Sequence, residues 1–220
     1  MKNWKLLFLM CLCALFTVSC SKDDDGENLG DTPIEDIPTG YKKLDVYGMS
    51  ALFLEESGWS NYTTNEFKNM TGYSAQFNRD CIAAFLKEDS VTFAGHTAYR
   101  TVVYFSRFDK LFASESEVND MIAEYRDVLD GMCDVEGNDP NLSFSKVGEV
   151  EFATIGKYTG SLIETLDKAY MYQANYFVYD EETSRLYMVT LSLDEEHHEA
   201  ADAKYRECLA VVNSLKLTGK

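Results

Sequence analysis

Tyr170-Met-Tyr-Gln-Ala-Asn-Tyr-Phe-Val-Tyr179, then Glu181-Glu-Thr-Ser184, then Arg185-Leu-Tyr-Met-Val-Thr-Leu-Ser-Leu193, is the stretch on which the fold turns. Both flanks are rich in aromatic and β-branched residues, which pack well on a pleated surface. The segment between them is short, polar and turn-prone. In the second flank Tyr187, Val189, Leu191 and Leu193 alternate onto one face, so one side is set for a core and the register is specified. The two flanks are read as an antiparallel hairpin.

Tyr170, Tyr172 and Tyr176 fall at even spacing on the first of these strands and are placed on one face. They either cover a core or present an adhesive surface of the kind enriched at protein interfaces. This is the candidate binding face.

Downstream, residues 194–216 read as an amphipathic helix with an inward stripe of Tyr205, Cys208, Leu209, Val212 and Leu215. Asp194 is its expected N-cap, with Glu195 and Glu196 complementing the positive end of the helix dipole. The same cluster, Asp194-Glu-Glu-His-His-Glu199, supplies the candidate metal pair, because His198 and Asp202 stand four apart and would share a helix face. Capping and metal binding both remain open on the sequence. Cys208 is read as a small buried apolar residue, with a disulfide to Cys81 or Cys133 as the other possibility.

Upstream, candidate strands occupy 149–155 and 158–166, after a polar loop around Gly137 to Pro140. Before that loop, Ser114-Glu-Ser-Glu117 has the spacing of a capping box. Behind it Val118, Met121, Ile122, Tyr125, Val128 and Leu129 recur at threes and fours, which predicts a helix closed by Gly131 at C′. Residues 49–54, 73–77, 82–86 and 99–105 read as strands, and Glu55 to Gly58 as a turn leading to Trp59. The fold class expected is α+β, an antiparallel sheet flanked by helices.

The opening residues carry a different message. Lys2 and Lys5 precede an apolar run from Leu6 to Phe16, and Thr17-Val-Ser-Cys20 follows. That is the order of a secretory signal peptide, and the run is shorter than the ~20 residues a spanning helix needs. Thr17-Val-Ser-Cys20 resembles a bacterial lipobox. The resemblance implies cleavage after residue 19 and a diacylglycerol and an N-acyl chain on Cys20, with no other cofactor. Each buried methylene of such chains contributes about 0.8 kcal/mol, so two or three chains anchor firmly. Ser21-Lys-Asp-Asp-Asp25 resembles the surface-export signal of Bacteroidetes lipoproteins, which implies the outer leaflet of the outer membrane. Residues 20–40 are acidic and hold Pro33 and Pro38, a composition expected to form a flexible tether. The expected organisation is therefore a signal peptide at 1–19, a lipidated tether at 20–40 and one α+β domain at 41–220.

Charge narrows the partners. The chain has a formal charge of −17, and losing Lys2 and Lys5 would take it to −19. Such a surface repels phosphate backbones, which excludes nucleic acid as an expected partner. Three cysteines, Cys81, Cys133 and Cys208, would remain in the domain, in a spacing that matches no zinc pattern. No glycine-rich phosphate loop, nucleophile elbow or His-Glu-x-x-His occurs, and the chain has only three histidines.

Ala174-Asn-Tyr-Phe-Val-Tyr-Asp180, Leu186-Tyr-Met-Val-Thr-Leu191 and Val212-Asn-Ser-Leu-Lys216, taken with the strand and Trp59 after Gly48, are similar to the closing hairpin and helix of the PsbP-like fold. That fold is shared with bacterial lipoproteins of the DcrB and LpqN kind. The resemblance covers most of residues 45–217. It implies a non-catalytic binding or accessory subunit of a cell-envelope complex, held to the membrane by its lipid, and transfers no active-site residue. The reading from a different class is a metal- or carbohydrate-binding domain, or a weak hydrolase.

Overall fold

The computed structural model describes residues 37–46, 48–62, 82–86, 90–93, 96–139 and 141–219. The signal peptide, Cys20, most of the tether, the strand expected at 73–77 and Cys81 lie outside the described residues.

The last hairpin is the centre of the molecule. Strands β11 (Met171–Asp180) and β12 (Arg185–Asp194) pair antiparallel along their whole length, from Met171 opposite Asp194 to Asp180 opposite Arg185. On one side β12 pairs with β7 (Val102–Leu111), then β4 (Ile82–Leu86) and β3 (Trp59–Tyr62). On the other side β11 pairs with β10 (Tyr158–Asp167), whose outer edge is shared by β8 (Phe144–Val147) and β9 (Glu151–Ile155). These eight strands form one sheet. A three-stranded sheet has β2 (Met49–Leu54) between β1 (Tyr41–Val46) and β13 (Lys216–Leu217), and β5 (Ser90–Phe93) pairs with β6 (His96–Tyr99). All of these ladders are antiparallel.

Alternation on the hairpin builds two cores. Tyr172, Ala174, Tyr176 and Val178 of β11 join Tyr187, Val189, Leu191 and Leu193 of β12 on one face. They pack under helix α2 (Ala203–Asn213) and the inward residues of β1 and β2, Leu44, Met49, Ala51 and Phe53. On the other face Phe177 and Leu186 meet Ile163, Phe112 and helix α1 (Glu115–Asp130) through Val118, Ile122 and Leu129. Two of the polar residues on that face pair with each other: Thr190 Oγ1 donates to Asn175 Oδ1 at 2.9 Å, and Asn175 Nδ2 to the Ile163 carbonyl at 3.3 Å, while the buried Thr165 hydroxyl has no protein partner among the described residues. Buried polar groups are tolerated when satisfied in this way.

The α+β class with an antiparallel sheet holds, but the architecture is dominated by sheet rather than flanked by helices. The described residues contain thirteen strands and two helices, and part of the cover over one face is itself a small sheet. Among the described residues no helix is long and apolar enough to cross a membrane.

Local expectations meet three corrections. The last helix begins at Ala203, not after Asp194. Asp194 ends β12, where Arg100 Nε donates to its carboxylate at 2.7 and 2.9 Å, so that carboxylate does not cap a helix. A single 3-10 turn, Glu195–His197, follows, and Asp202 is the true cap, accepting from the amides of Lys204 and Tyr205. The capping box on α1 forms with a shift of one residue: Ser114 Oγ accepts from Glu117 N at 3.3 Å, while Glu117 Oε2 accepts from Ala113 N at 2.8 Å. Gly131 follows α1 in right-handed conformation, φ −64°, so it is not the left-handed C′ stop.

Candidate functional site

Tyr170 does not lie on the strand. Its φ is 61°, in the left-handed region, and β11 begins one residue later. The turn that forces this geometry is built by Asp167, whose Oδ1 accepts from Ala169 N at 2.7 Å and Met171 N at 2.9 Å. A three-residue hairpin loop commonly ends in an αL residue, where glycine is favoured. Here the residue is tyrosine, 69 % exposed. Its carbonyl accepts from Glu195 N at 2.8 Å, which fixes the turn from the far side.

Tyr172 and Tyr176 point the other way, into the core under α2, at 7 % and 6 % exposure. The three tyrosines therefore do not form one surface: two are core, because their face is the one covered by α2. Tyr172 donates its hydroxyl to the Glu164 carboxylate on β10. Its ring lies 5.0 Å from the His198 ring and 6.3 Å from Tyr205 in an edge-on arrangement. Burial, and for Tyr172 the Glu164 carboxylate, push both phenols above the ordinary tyrosine value. They are neutral at any physiological pH, and the negative charge of the Glu164 carboxylate beside Tyr172 holds that phenol protonated rather than activating it.

His198 and Asp202, paired in the sequence reading on a continuous helix, are separated because the chain between them is not helical. His198 Nδ1 bonds the Glu195 carbonyl and its ring stacks on Tyr172. Asp202 is engaged by His197 instead, whose Nδ1 donates to Oδ2 at 3.0 Å. That bond and the two capped amides hold the Asp202 carboxyl below its usual range. Among the described residues no group of three or more His, Cys, Asp or Glu side chains is placed to hold a metal ion.

Sequence reasoning brought the tyrosines and the histidines forward as separate features, and the structure joins Tyr172 to His198. It missed Glu164 and the Tyr205 ring as the partners of Tyr172. Tyr205 could have been found once Asp202 was recognised as the cap, since it is the third residue in. Cys208 is buried in the core, and it and Cys133 are not bonded to each other.

A groove of about 330 Å³ lies between β2 and α2, lined by Tyr41, Leu52, Leu54, Trp59, Arg206 and Val211. Trp59 is 3 % exposed and its indole N–H donates to Glu207 at 3.3 Å, so it offers no open ring for a sugar to stack on.

No family model matches the chain, and no curated protein matches it. Among solved structures it is similar to the Saccharomyces cerevisiae Ran-binding protein Mog1p, with 8 % identity over 81 % of this chain and 95 % of that one and a TM-score of 0.42. A point mutant of Mog1 gives 9 % identity, 81 % and 96 % coverage and a TM-score of 0.41. Likeness at this level leaves partner and activity unaddressed.

Proposed function

We propose that this chain is a lipoprotein anchored through acyl chains on Cys20 and exposed on the outer membrane surface. Its folded part, residues 41–220, acts without catalysis as a binding or accessory subunit of a cell-envelope complex, in the manner of the PsbP-like fold. The observation that carries the binding role is Tyr170. A bulky residue in the left-handed region is an outlier that a fold keeps only where its surroundings over-determine it. Here the residue in that region carries an aromatic ring that stands mostly in solvent, 69 % exposed. Rigid exposed aromatic rings are what protein interfaces use as anchors.

Mild crosslinking on intact cells, followed by purification of the tagged lipoprotein, tests this reading. Recovery of one stoichiometric envelope protein is the expected result. Recovery of the lipoprotein alone would overturn a stable accessory role. Palmitate labelling that disappears in Cys20→Ala, and protease accessibility on whole cells, check the anchor and the address separately.

A further inference from the structure

Two apolar side chains at one end of the main sheet stand out in solvent on backbone that is held from several sides. Tyr170 is 69 % exposed and Val135 is 85 % exposed. Val135 follows Asp134, whose carboxylate accepts from the amides of Asn138 at 3.2 Å and Asp139 at 2.8 Å and from the Lys168 ammonium at 2.5 Å. The same ammonium donates to the Asp139 carbonyl at 2.5 Å, and the Lys168 amide donates to Ser143 O at 3.1 Å. Lys168 stands two residues before Tyr170. One side chain thus stitches the loop that carries Val135 to the turn that carries Tyr170.

Acidic side chains outnumber basic ones around this pair. Glu136 lies on the Val135 loop, and Glu195, Glu196 and Glu199 follow the strand end that clasps the Tyr170 carbonyl. Two of the neighbouring cations are matched, Lys168 by Asp134 and Arg100 by Asp194, and Lys146, opposite Leu166 on β8, is a further basic side chain at this end. A second copy of a chain with net charge −17 would be repelled by this rim, as would an anionic membrane. What complements two preorganised apolar anchors inside an acidic rim is a polypeptide segment with an apolar centre and lysine or arginine on either side.

We infer that the Tyr170 and Val135 turns form the docking surface for such a basic segment of a partner protein. The inference rests on the binding role proposed above and names the partner's chemistry. Asparagine accepts a positive φ, so Tyr170→Asn keeps the turn while removing the ring.

Random short peptides displayed on phage are selected against the mature chain. The enriched peptides should carry lysine or arginine flanking an aliphatic or aromatic residue and lose affinity as salt rises. Their affinity should fall about tenfold on Tyr170→Asn and again on Val135→Ser, as for interface anchors, with Tm unchanged or raised for Tyr170→Asn. Glu115→Gln, at the far end of α1, should leave it unchanged. Enrichment of neutral or acidic peptides, no enrichment, or equal binding by Tyr170→Asn would overturn the inference. So would self-association in light scattering that Tyr170→Asn abolishes, which would give the surface to a second copy. If Tyr170→Asn still crosslinks to its partner on cells, this surface is wrong while the binding role stands. If the unsubstituted protein is recovered alone, the binding role itself falls.

Discussion

The two turns that bracket β11 share a frame and differ in what they display. Each begins with an aspartate that organises the loop: Asp167 accepts from two amides at the first, and Asp180 accepts from Glu182 N at 3.2 Å and Thr183 Oγ1 at 2.6 Å at the second. Each ends on a non-glycine residue in the left-handed region, Tyr170 at φ 61° and Ser184 at φ 56°. Each of those residues has its carbonyl clasped by a distant amide, Glu195 N at 2.8 Å and Phe112 N at 2.9 Å. A tyrosine hydroxyl roots each turn, Tyr172 on Glu164 and Tyr179 on the Phe112 carbonyl at 3.0 Å. Chain reversal therefore accounts for the left-handed residue in both cases. It does not account for the exposed ring of Tyr170, where a small half-buried serine does the same work at the other end.

The largest effect expected from breaking this symmetry is at the root of the first turn. Tyr172→Ala should destabilise by about 3–5 kcal/mol, because it empties a buried aromatic position under α2 and leaves His198 and Tyr205 without the ring they pack on. Tyr172→Phe keeps the packing and loses the bond to Glu164, so about 1 kcal/mol is expected. Urea denaturation of the two variants separates the terms. Equal losses would show that the hydroxyl, not the ring, holds the turn.

The next effect depends on pH. The Lys168 ammonium and two backbone amides hold the Asp134 carboxyl below its usual range. A carboxylate with a depressed folded value contributes stability that is fully present above its unfolded value, near 4, and is lost as pH falls through the folded value. Lys168→Met should therefore be less stable than the unsubstituted chain at neutral pH, with the gap closing in acid. Denaturation midpoints at several pH values measure it, and a gap constant with pH would mean that Lys168 acts through its aliphatic stem.

How much of this was legible in the sequence depends on how local each cause is. The paired flanks of the hairpin were readable because their alternation reports the two cores directly, with Tyr187, Val189, Leu191 and Leu193 on one face. The stripe on α1 was readable for the same reason. Tyr170 was not, since it has the parity of Tyr172 and Tyr176 and nothing in alternation marks a reversed φ; Asp167 three residues earlier was the available hint. The helix start was misplaced because Asp194 and Asp202 are equally good caps by residue type. Arg100, distant in sequence, takes the first out of contention. The stitch from Lys168 to Asp134 joins residues in different loops and leaves no periodic trace.

The smallest effects sharpen the comparison most. Holding a bulky residue in the left-handed region costs on the order of 1 kcal/mol, and Tyr170 is too exposed to regain that by burial. Tyr170→Asn should then leave stability unchanged or raise it by up to about 1 kcal/mol. At the other turn Ser184→Asn should change stability by less than about 0.5 kcal/mol, because serine is small and a larger group must fit a half-buried place. Thermal unfolding of the two variants side by side decides the matter. If Tyr170→Asn stabilises and Ser184→Asn does not, the fold bears a cost at the first turn that it avoids at the second, and the ring is kept for something outside the fold. If Tyr170→Asn destabilises, the ring supports the turn, and the asymmetry between the two ends of β11 is structural rather than functional.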